Sequence, residues 1–453
     1  MTTFFGSIWW LIVSLGVLVT FHEFGHYWVA RRNGVKVLRF SIGFGRALWS
    51  RRGRDGTEYV IAAIPLGGYV KMLDERETPV AEEEASQAFN RKSVWQRIAI
   101  VIAGPAANLI LCVVLLWTMF VVGRPDYMPV AGVAQGLAAE AGLERGDTIH
   151  SVGGRQTPTW NEVQLALLPA ALDRSDVQLE VTDTLGNQRT RTLPLSRLPA
   201  DMDDLHLLPS IGLLPRHMLV PAVIGGIQPG SPADGLLLEG DRVTAFDAHR
   251  IETFEQIGPL VQALGAQGGS AMVEVEREDE RLALELTPEL MEDPERGEFW
   301  VLGIQSDRGQ APSKDAMQRY GPVAAVPAAL RETAHLTGQL VGMIGRAFSG
   351  RVAIQNTVAG PITIARATNA YASQGVAWYL TILALLSLSL AILNLLPIPL
   401  LDGGHLLYYL IELVKGSPLS DRAMVAGQYV GLALLASLMG LAFYNDILQL
   451  VQR

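Results

Sequence analysis

Cysteine is nearly absent from the chain: among 453 residues there is only Cys112, inside an apolar stretch. An internal disulfide framework and a cysteine-rich zinc site are therefore excluded, and Cys112 reads as packing. Charge is scarce too, at 18% of residues against 49% hydrophobic, a balance that leans towards a membrane. The net charge is -9, with acidic residues dominating the middle of the chain. Phosphate backbones need a clustered basic surface, so nucleic acid is not an expected partner. No Lys or Arg precedes residue 31, and no small-residue cleavage site follows the first apolar run. The N-terminus is read as a retained helix rather than a cleaved signal.

Against these absences stand four long apolar runs: Phe4 to about Ala30, Ile98 to Gly123, Val376 to Leu401, and Ala423 to Phe443. Each can span a bilayer, which takes about 20 residues. The last three contain no Asp, Glu, Lys, Arg or His. Between residues 31 and 97 there are 13 Lys plus Arg, including Arg31, Arg32, Arg39, Arg51, Arg52, Arg91 and Arg97, which predicts that this loop is cytoplasmic. Four crossings then place both termini and the long 124–375 segment on the far side, the periplasm in a bacterium. The expected class is a polytopic α-helical membrane protein with a periplasmic α+β region.

That α+β expectation comes from an internal repeat. VAQGLAAEAGLERGDTIHSV pairs with IQPGSPADGLLLEGDRVTAF at a constant offset of 94, with Gly136 on Gly230, Leu143 on Leu237, Gly146 on Gly240, Asp147 on Asp241 and Trp160 on Phe254. Each copy reads as a short helix, a turn at L-x-x-G-D and a strand, and VQLEVTD and AMVEVERE alternate like further strands. The pattern resembles tandem PDZ domains, whose grooves take a peptide as an added strand. A rigid spacer or size filter is the other reading.

The expected order is a first span 1–31, a cytoplasmic loop 32–96 and a second span 97–123. Two repeat domains follow, 124–214 and 215–312, then an amphipathic helix and linker 313–375. The third span 376–402, a cytoplasmic loop 403–422 and the fourth span 423–445 complete it. Within the linker, Leu330, Leu336, Leu340, Val341, Ile344 and Phe348 fall at helical spacing. They suit a helix on the membrane surface or against the repeats, or a plain packing helix.

Of the four runs only the first carries His or Glu, in VTFHEFGHYW at 19–28. On a helix, His22 and His26 share a face and can point ring nitrogens at one metal ion, while Glu23 is placed to reach a water on that metal. Two neutral imidazoles and a carboxylate suit zinc, with a fourth position open for water. An ionisable group inside a bilayer costs at least about 2.5–3.5 kcal/mol, so three within five residues need a partner or a function. A third ligand is available at matching depth. His22 lies nine residues inside Arg31, and Asp402, in NLLPIPLLDGGH, lies 13 residues before Lys415. Asn394, Pro397 and Pro399 interrupt that third run, and irregular backbone at membrane depth is tolerated only where protein or water covers it. Asn394 could hold a substrate carbonyl or cap the broken helix. His405, one turn beyond Asp402, is open as a spare ligand or a donor to one.

HEFGH in the first run and NLLPIPLLDGG in the third, around PDZ-like repeats, resemble the site-2 protease family of intramembrane zinc metalloproteases over nearly the whole chain. FSIGFG at 40–45, PLGGYVKM at 65–72, RIAIVIAGPAANL at 97–109 and NTVAGPI at 356–362 belong to the same resemblance. It implies that His22, His26 and Asp402 bind Zn2+ and that Glu23 is the general base. It implies further that Gly43, Gly45, Gly67 and Gly68 sit in a β-like element that dips towards the site and pairs with an unwound substrate helix. Read from sequence alone, those glycines are turns in a cytoplasmic loop, and Gly104, Pro105 and Asn108 a packing kink. With Asn394, Pro397 and Pro399 these glycines are the candidate substrate-binding residues. The implied substrate is a single-pass membrane protein, such as an anti-sigma factor already shortened outside, or a signal peptide left in the membrane. A membrane-anchored PDZ scaffold with a structural metal, and a metal or proton transporter, are the competing classes. A transporter predicts charges along a path and repeats among its spans, and the sequence has neither.

Overall fold

A computed structural model describes residues 2–77, 79–199, 210–278, 280–293, 297–307, 312–349 and 359–451. Asn356 to Val358 of the NTVAGPI stretch lie outside them. The chain forms two compact units, Met1–Pro125 with Gln318–Arg453, and Asp126–Met317.

In the first unit, helix α1 (Thr2–Arg32) ends on Arg31 and Arg32, cations that suit the negative end of a helix dipole, and Gly34 at φ 68° turns the chain away. Strands β1 (Val37–Arg52) and β2 (Glu58–Met72) follow. Each bends and pairs twice: Arg39 lies opposite both Lys71 and Glu58, and Ser41 opposite both Tyr69 and Val60. Gly43 and Gly45, at φ 91° and 86°, bend β1, and a Cβ at Gly67 would overlap the Phe44 ring. The glycine clusters thus lie within strands, where sequence alone suggests turns. The 53–57 tip folds back onto α1, where Tyr27 Oη and Arg31 both donate to Asp55 Oδ2, at 3.1 and 2.8 Å.

Helix α2 (Val94–Val122) starts at a capping box in which Ser93 and Gln96 satisfy each other's backbone N–H. It is followed in this unit by α3 (Pro322–Phe348), α4 (Pro361–Ser373), α5 (Val376–Leu395), α6 (Asp402–Lys415) and α7 (Asp421–Val451). Among the described residues, four helices, α1, α2, α5 and α7, are long and apolar enough to cross a membrane. α2 is the central one, with 56% of its apolar window buried against 6% for α7. Its Leu116 and Met119 join Leu18 of α1, Leu388 of α5 and Ala329 of α3 in one core. Cys112 is buried in that core, beside Thr333. α3 packs on α2 through Ala325, Ala329 and Leu336, while Leu330 and Val341 are exposed. Small residues rather than the whole leucine stripe make most of the contact of α3 with α2. The 403–422 connection, expected as a loop, is largely the helix α6.

The second unit shows the repeat in three dimensions. Strands Thr148–Val152, Arg155–Gln156 and Val177–Thr182 recur as Arg242–Phe246, His249–Arg250 and Ala271–Arg277, keeping the offset of 94 at each first residue. Both copies have a four-stranded antiparallel sheet in the same order and a helix, Trp160–Leu172 or Ile257–Gln267, between the second and third strands. The L-x-x-G-D signature has a local cause. Gly146 and Gly240 turn at φ 93° and 95°, and each following aspartate accepts the N–H three residues back, Asp147 from Glu144 at 2.9 Å and Asp241 from Leu238 at 2.8 Å.

Candidate metal centre

The site begins where α1 and α2 touch. A Cβ at Gly25 would overlap the Ala103 carbonyl, so the two backbones approach as only glycine permits. His22 and His26, one turn apart on α1, therefore face α2 at its Pro105 kink, where the helix loses a backbone donor. The His26 ring lies on Gly104, where any Cβ would overlap it, and His26 Nδ1 lies 2.8 Å from the Ile100 carbonyl. A carbonyl only accepts, so Nδ1 carries the proton and Nε2 keeps its lone pair. RIAIVIAGPAANL is thus more than a kink: it is the bed of the histidine pair.

Asp402 arrives from the opposite wall. α5 stops at Leu395, the Pro397 and Pro399 segment carries Leu400 at φ 87°, a rare conformation for a branched residue, and Asp402 opens α6. Asp402 therefore starts a new helix rather than closing the third span. Gly403 and Gly404 allow this tight restart, since a Cβ on either would overlap the carbonyl of Leu396 or come within 2.5 Å of that of Ile398. The far end of α6 is clamped to α2 by Arg97, whose two terminal nitrogens lie 2.7 and 3.2 Å from the Glu412 carboxylate while its guanidinium covers Tyr409. Both charged side chains are largely buried, and the paired fork fixes geometry as well as charge.

Three donor atoms converge. His22 Nε2 and His26 Nε2 are 3.2 Å apart, and Asp402 Oδ2 lies 3.2 and 3.4 Å from them. Donors at roughly 2.0–2.1 Å from a tetrahedral zinc are about 3.3 Å from one another, so the triangle has the edges that zinc requires. The chemistry agrees: Asp402 Oδ2 is buried and receives no hydrogen bond although two ring nitrogens flank it. Lone pairs facing one another in a buried site call for a cation at their centre. His405 lines the neighbouring cavity but is outside this triad.

Glu23 stands beside the triad with backbone contact to Val70 of β2, and Gly68 makes room for it: a Cβ there would lie 3.1 Å from Glu23 Cγ. The 68–72 stretch of β2 thus passes directly over the site. A cavity of about 840 Å³ contains His22, Glu23, His26, Asp402, Gly68 and Asn394 among its lining residues. Of the other candidate substrate-binding residues, Gly43, Gly45, Gly67, Pro397 and Pro399 do not line it. The three glycines shape the sheet and the prolines break the helix, so their influence reaches the cavity only through the backbone they bend.

Comparison with known proteins gives the family. Peptidase family M50 matches residues 10–438. The chain belongs to peptidase family M50. It is a metalloprotease, and the metal of its family is zinc. It is 55% identical, over 99% of its length and 100% of the relative's, to a Xylella fastidiosa (strain 9a5c) protein whose name describes a zinc metalloprotease. It is also 41% identical to the regulator of sigma-E protease RseP of Escherichia coli (strain K12), over 99% and 100% of the two chains. Protease RseP of Yersinia pestis is likewise 41% identical, over 98% and 100%. Sequence reasoning missed Asn108 beside this triad, although it is fully buried with its amide against His22. The signal was available: a lone amide in an otherwise uncharged apolar run.

Proposed function

We propose that the chain is an intramembrane zinc endopeptidase that hydrolyses peptide bonds within transmembrane segments of single-pass membrane proteins. The observation that carries this reading is the convergence of His22, His26 and Asp402 at zinc-like spacing with Glu23 beside them. His22, His26 and Asp402 hold the metal. Bound there, zinc supplies a Lewis acid able to activate water near neutral pH. Glu23 takes the proton from the attacking water and returns it to the leaving amine, and its place under β2 keeps its carboxylate close to the scissile bond. A helical substrate hides its carbonyls in hydrogen bonds, so it must unwind first. The 68–72 stretch of β2 offers a strand to pair with, and the Asn394 amide, on the cavity wall, holds the extended segment.

The same reading makes the Asp126–Met317 unit a periplasmic pair of PDZ-like domains, within the boundaries 124–214 and 215–312. The site lies towards the cytoplasmic side of a bacterial inner membrane, as the 13 cations between residues 31 and 97 favour. Its substrates are an anti-sigma factor after a first periplasmic cut, in envelope stress signalling, and remnant signal peptides. The name of the 41% identical relative, a regulator of sigma-E protease, supports that choice. The alternative, a membrane-anchored scaffold with a structural metal, makes a separate prediction for Glu23. Metal analysis, with cleavage of a model single-pass substrate by wild type and Glu23→Gln, decides between them. Retained zinc with lost turnover supports the protease, and equal cleavage by both proteins defeats it.

A further inference from the structure

Asn108 is the one residue of α2 whose side chain meets a member of the proposed metal triad through a polar atom. It has no exposed surface, and an amide buried among apolar helices is costly unless both of its ends are paired. As it stands, Nδ2 lies 3.3 Å from His22 Nδ1 while Oδ1 is buried with no hydrogen-bond partner. In that orientation His22 Nδ1 must accept, so its proton sits on Nε2 and points at His26. This chain of hydrogen bonds is complete on the nitrogen side. It leaves two buried oxygens without donors, Asn108 Oδ1 and Asp402 Oδ2.

Half a turn of the amide gives Asn108 Oδ1 a donor and takes the His22 N–H out of the triad, leaving Asp402 Oδ2 to a cation rather than to a donor. The two ends of an amide have nearly the same shape, so the turn needs no new space. Oδ1 then accepts the proton of His22 Nδ1, Nε2 is left with its lone pair, and Asp402 Oδ2 faces two lone pairs and a cation site instead of an N–H that it does not engage. His26 is already held in that state by the Ile100 carbonyl, from the same helix. Among the described residues no other hydrogen bond uses the amide: Ser387 donates to the backbone carbonyl of Asn108, at 2.8 Å, and not to its side chain.

We infer that Asn108 is a positioning residue, which fixes His22 in the Nδ1–H tautomer and so presents Nε2 to the zinc ion. The inference rests on the metal triad proposed above. It predicts that one span, α2, sets the tautomers of both histidines, with a backbone acceptor for one and a side-chain acceptor for the other. Outer partners of this kind tune metal affinity rather than abolish it.

The test uses the full chain purified in detergent, with zinc affinity read by competition against a chelator and the site geometry read from the visible spectrum of the cobalt-loaded protein. Asn108→Leu keeps the volume and removes the acceptor, and it is expected to weaken zinc binding by about 10–100-fold and to change the cobalt spectrum. Asn108→Asp restores an acceptor and is expected to bind zinc within about threefold of wild type. Should Asn108→Leu fail to fold, Asn108→Ala carries the same expectation as the leucine variant. Zinc affinity in the acceptor-free variant that is less than about tenfold weaker than wild type, or equal losses in the aspartate and acceptor-free variants, would overturn the inference. His22→Ala separates this from the triad itself: full zinc retention there sinks the triad, whereas its loss beside a normal Asn108 variant sinks only the role of Asn108.

Discussion

Two aspartates with buried carboxylate oxygens show how differently the units use the same chemistry. Asp241, in the second repeat, accepts the Leu238 N–H and a two-pronged contact from Arg277, with both distances at 2.7 Å. Asp402 is only partly covered, with 19% of its side chain exposed, yet its Oδ2 is buried, receives no hydrogen bond and faces two imidazoles. A carboxylate whose lone pairs are all answered stabilises a turn. One left open towards other lone pairs is set up for a ligand, and the difference separates scaffold from site without any appeal to residue type.

The largest effect that could break this contrast comes from the open side. Asp402→Ala should lower zinc affinity by more than about 100-fold and abolish cleavage, because it removes a donor rather than a donor's support. Zinc titration of the purified chain checks it, and near-normal affinity would mean that Asp402 resembles Asp241 after all. Next, Gly104→Ala puts a methyl into the His26 ring without adding any polar group. A fall of at least about tenfold in zinc affinity is expected, with the far-ultraviolet spectrum unchanged, since the ring must leave its seat.

On the closed side the effect should be one of stability and not of chemistry. Asp241→Ala strips the turn and leaves Arg277 with only the Leu236 carbonyl, and about 1–3 kcal/mol of local stability should go. Amide exchange in strand Ala271–Arg277 of the full chain reads the loss, while zinc content stays at the wild-type level. The first copy sharpens the point: position 183, the counterpart of Arg277 at offset 94, is Asp, so Asp147 has no arginine there. Asp147→Ala should cost less, about 1 kcal/mol, by the same measurement. Burial pushes the Asp241 carboxyl up, but the Arg277 and Leu238 hydrogen bonds outweigh it and hold the group below the usual carboxyl range. A lowered folded pKa adds stability that is present above the ordinary carboxyl value of about 3.9 and is lost as pH falls below it. Protection of the second repeat should therefore drop below about pH 4, more steeply than in Asp241→Asn. The smallest effect belongs to the exposed pair Arg145 and Glu252, at 3.0 Å between the two copies. Arg145→Ala should change stability by under about 1 kcal/mol, vanishing at high salt.

Much of the site was legible before any coordinates. His22 and His26 share a face because of helix period alone, and counting residues to the nearest cation placed Asp402 at their depth. The offset of 94 was visible because a Gly-Asp turn demands those two residue types wherever it recurs. Three features were not legible, each for a physical reason. Glycine serves turns, bends and close contacts alike, so Gly43, Gly45, Gly67 and Gly68 read as loop although they shape a twice-paired sheet. The Ile100 carbonyl that orients His26 belongs to the backbone, which every residue type shares. The helix α6 was hidden because two prolines ahead of it, Pro397 and Pro399, signal a stop and say nothing about a restart.

The most direct test of the central claim is X-ray absorption at the zinc edge on the full chain, as wild type and as His26→Ala. The account predicts one zinc per wild-type chain with nitrogen and oxygen neighbours only, and no stoichiometric zinc in the variant. Wild-type protein purified without zinc and unable to take it up, or His26→Ala holding zinc in an unchanged coordination shell, would contradict it.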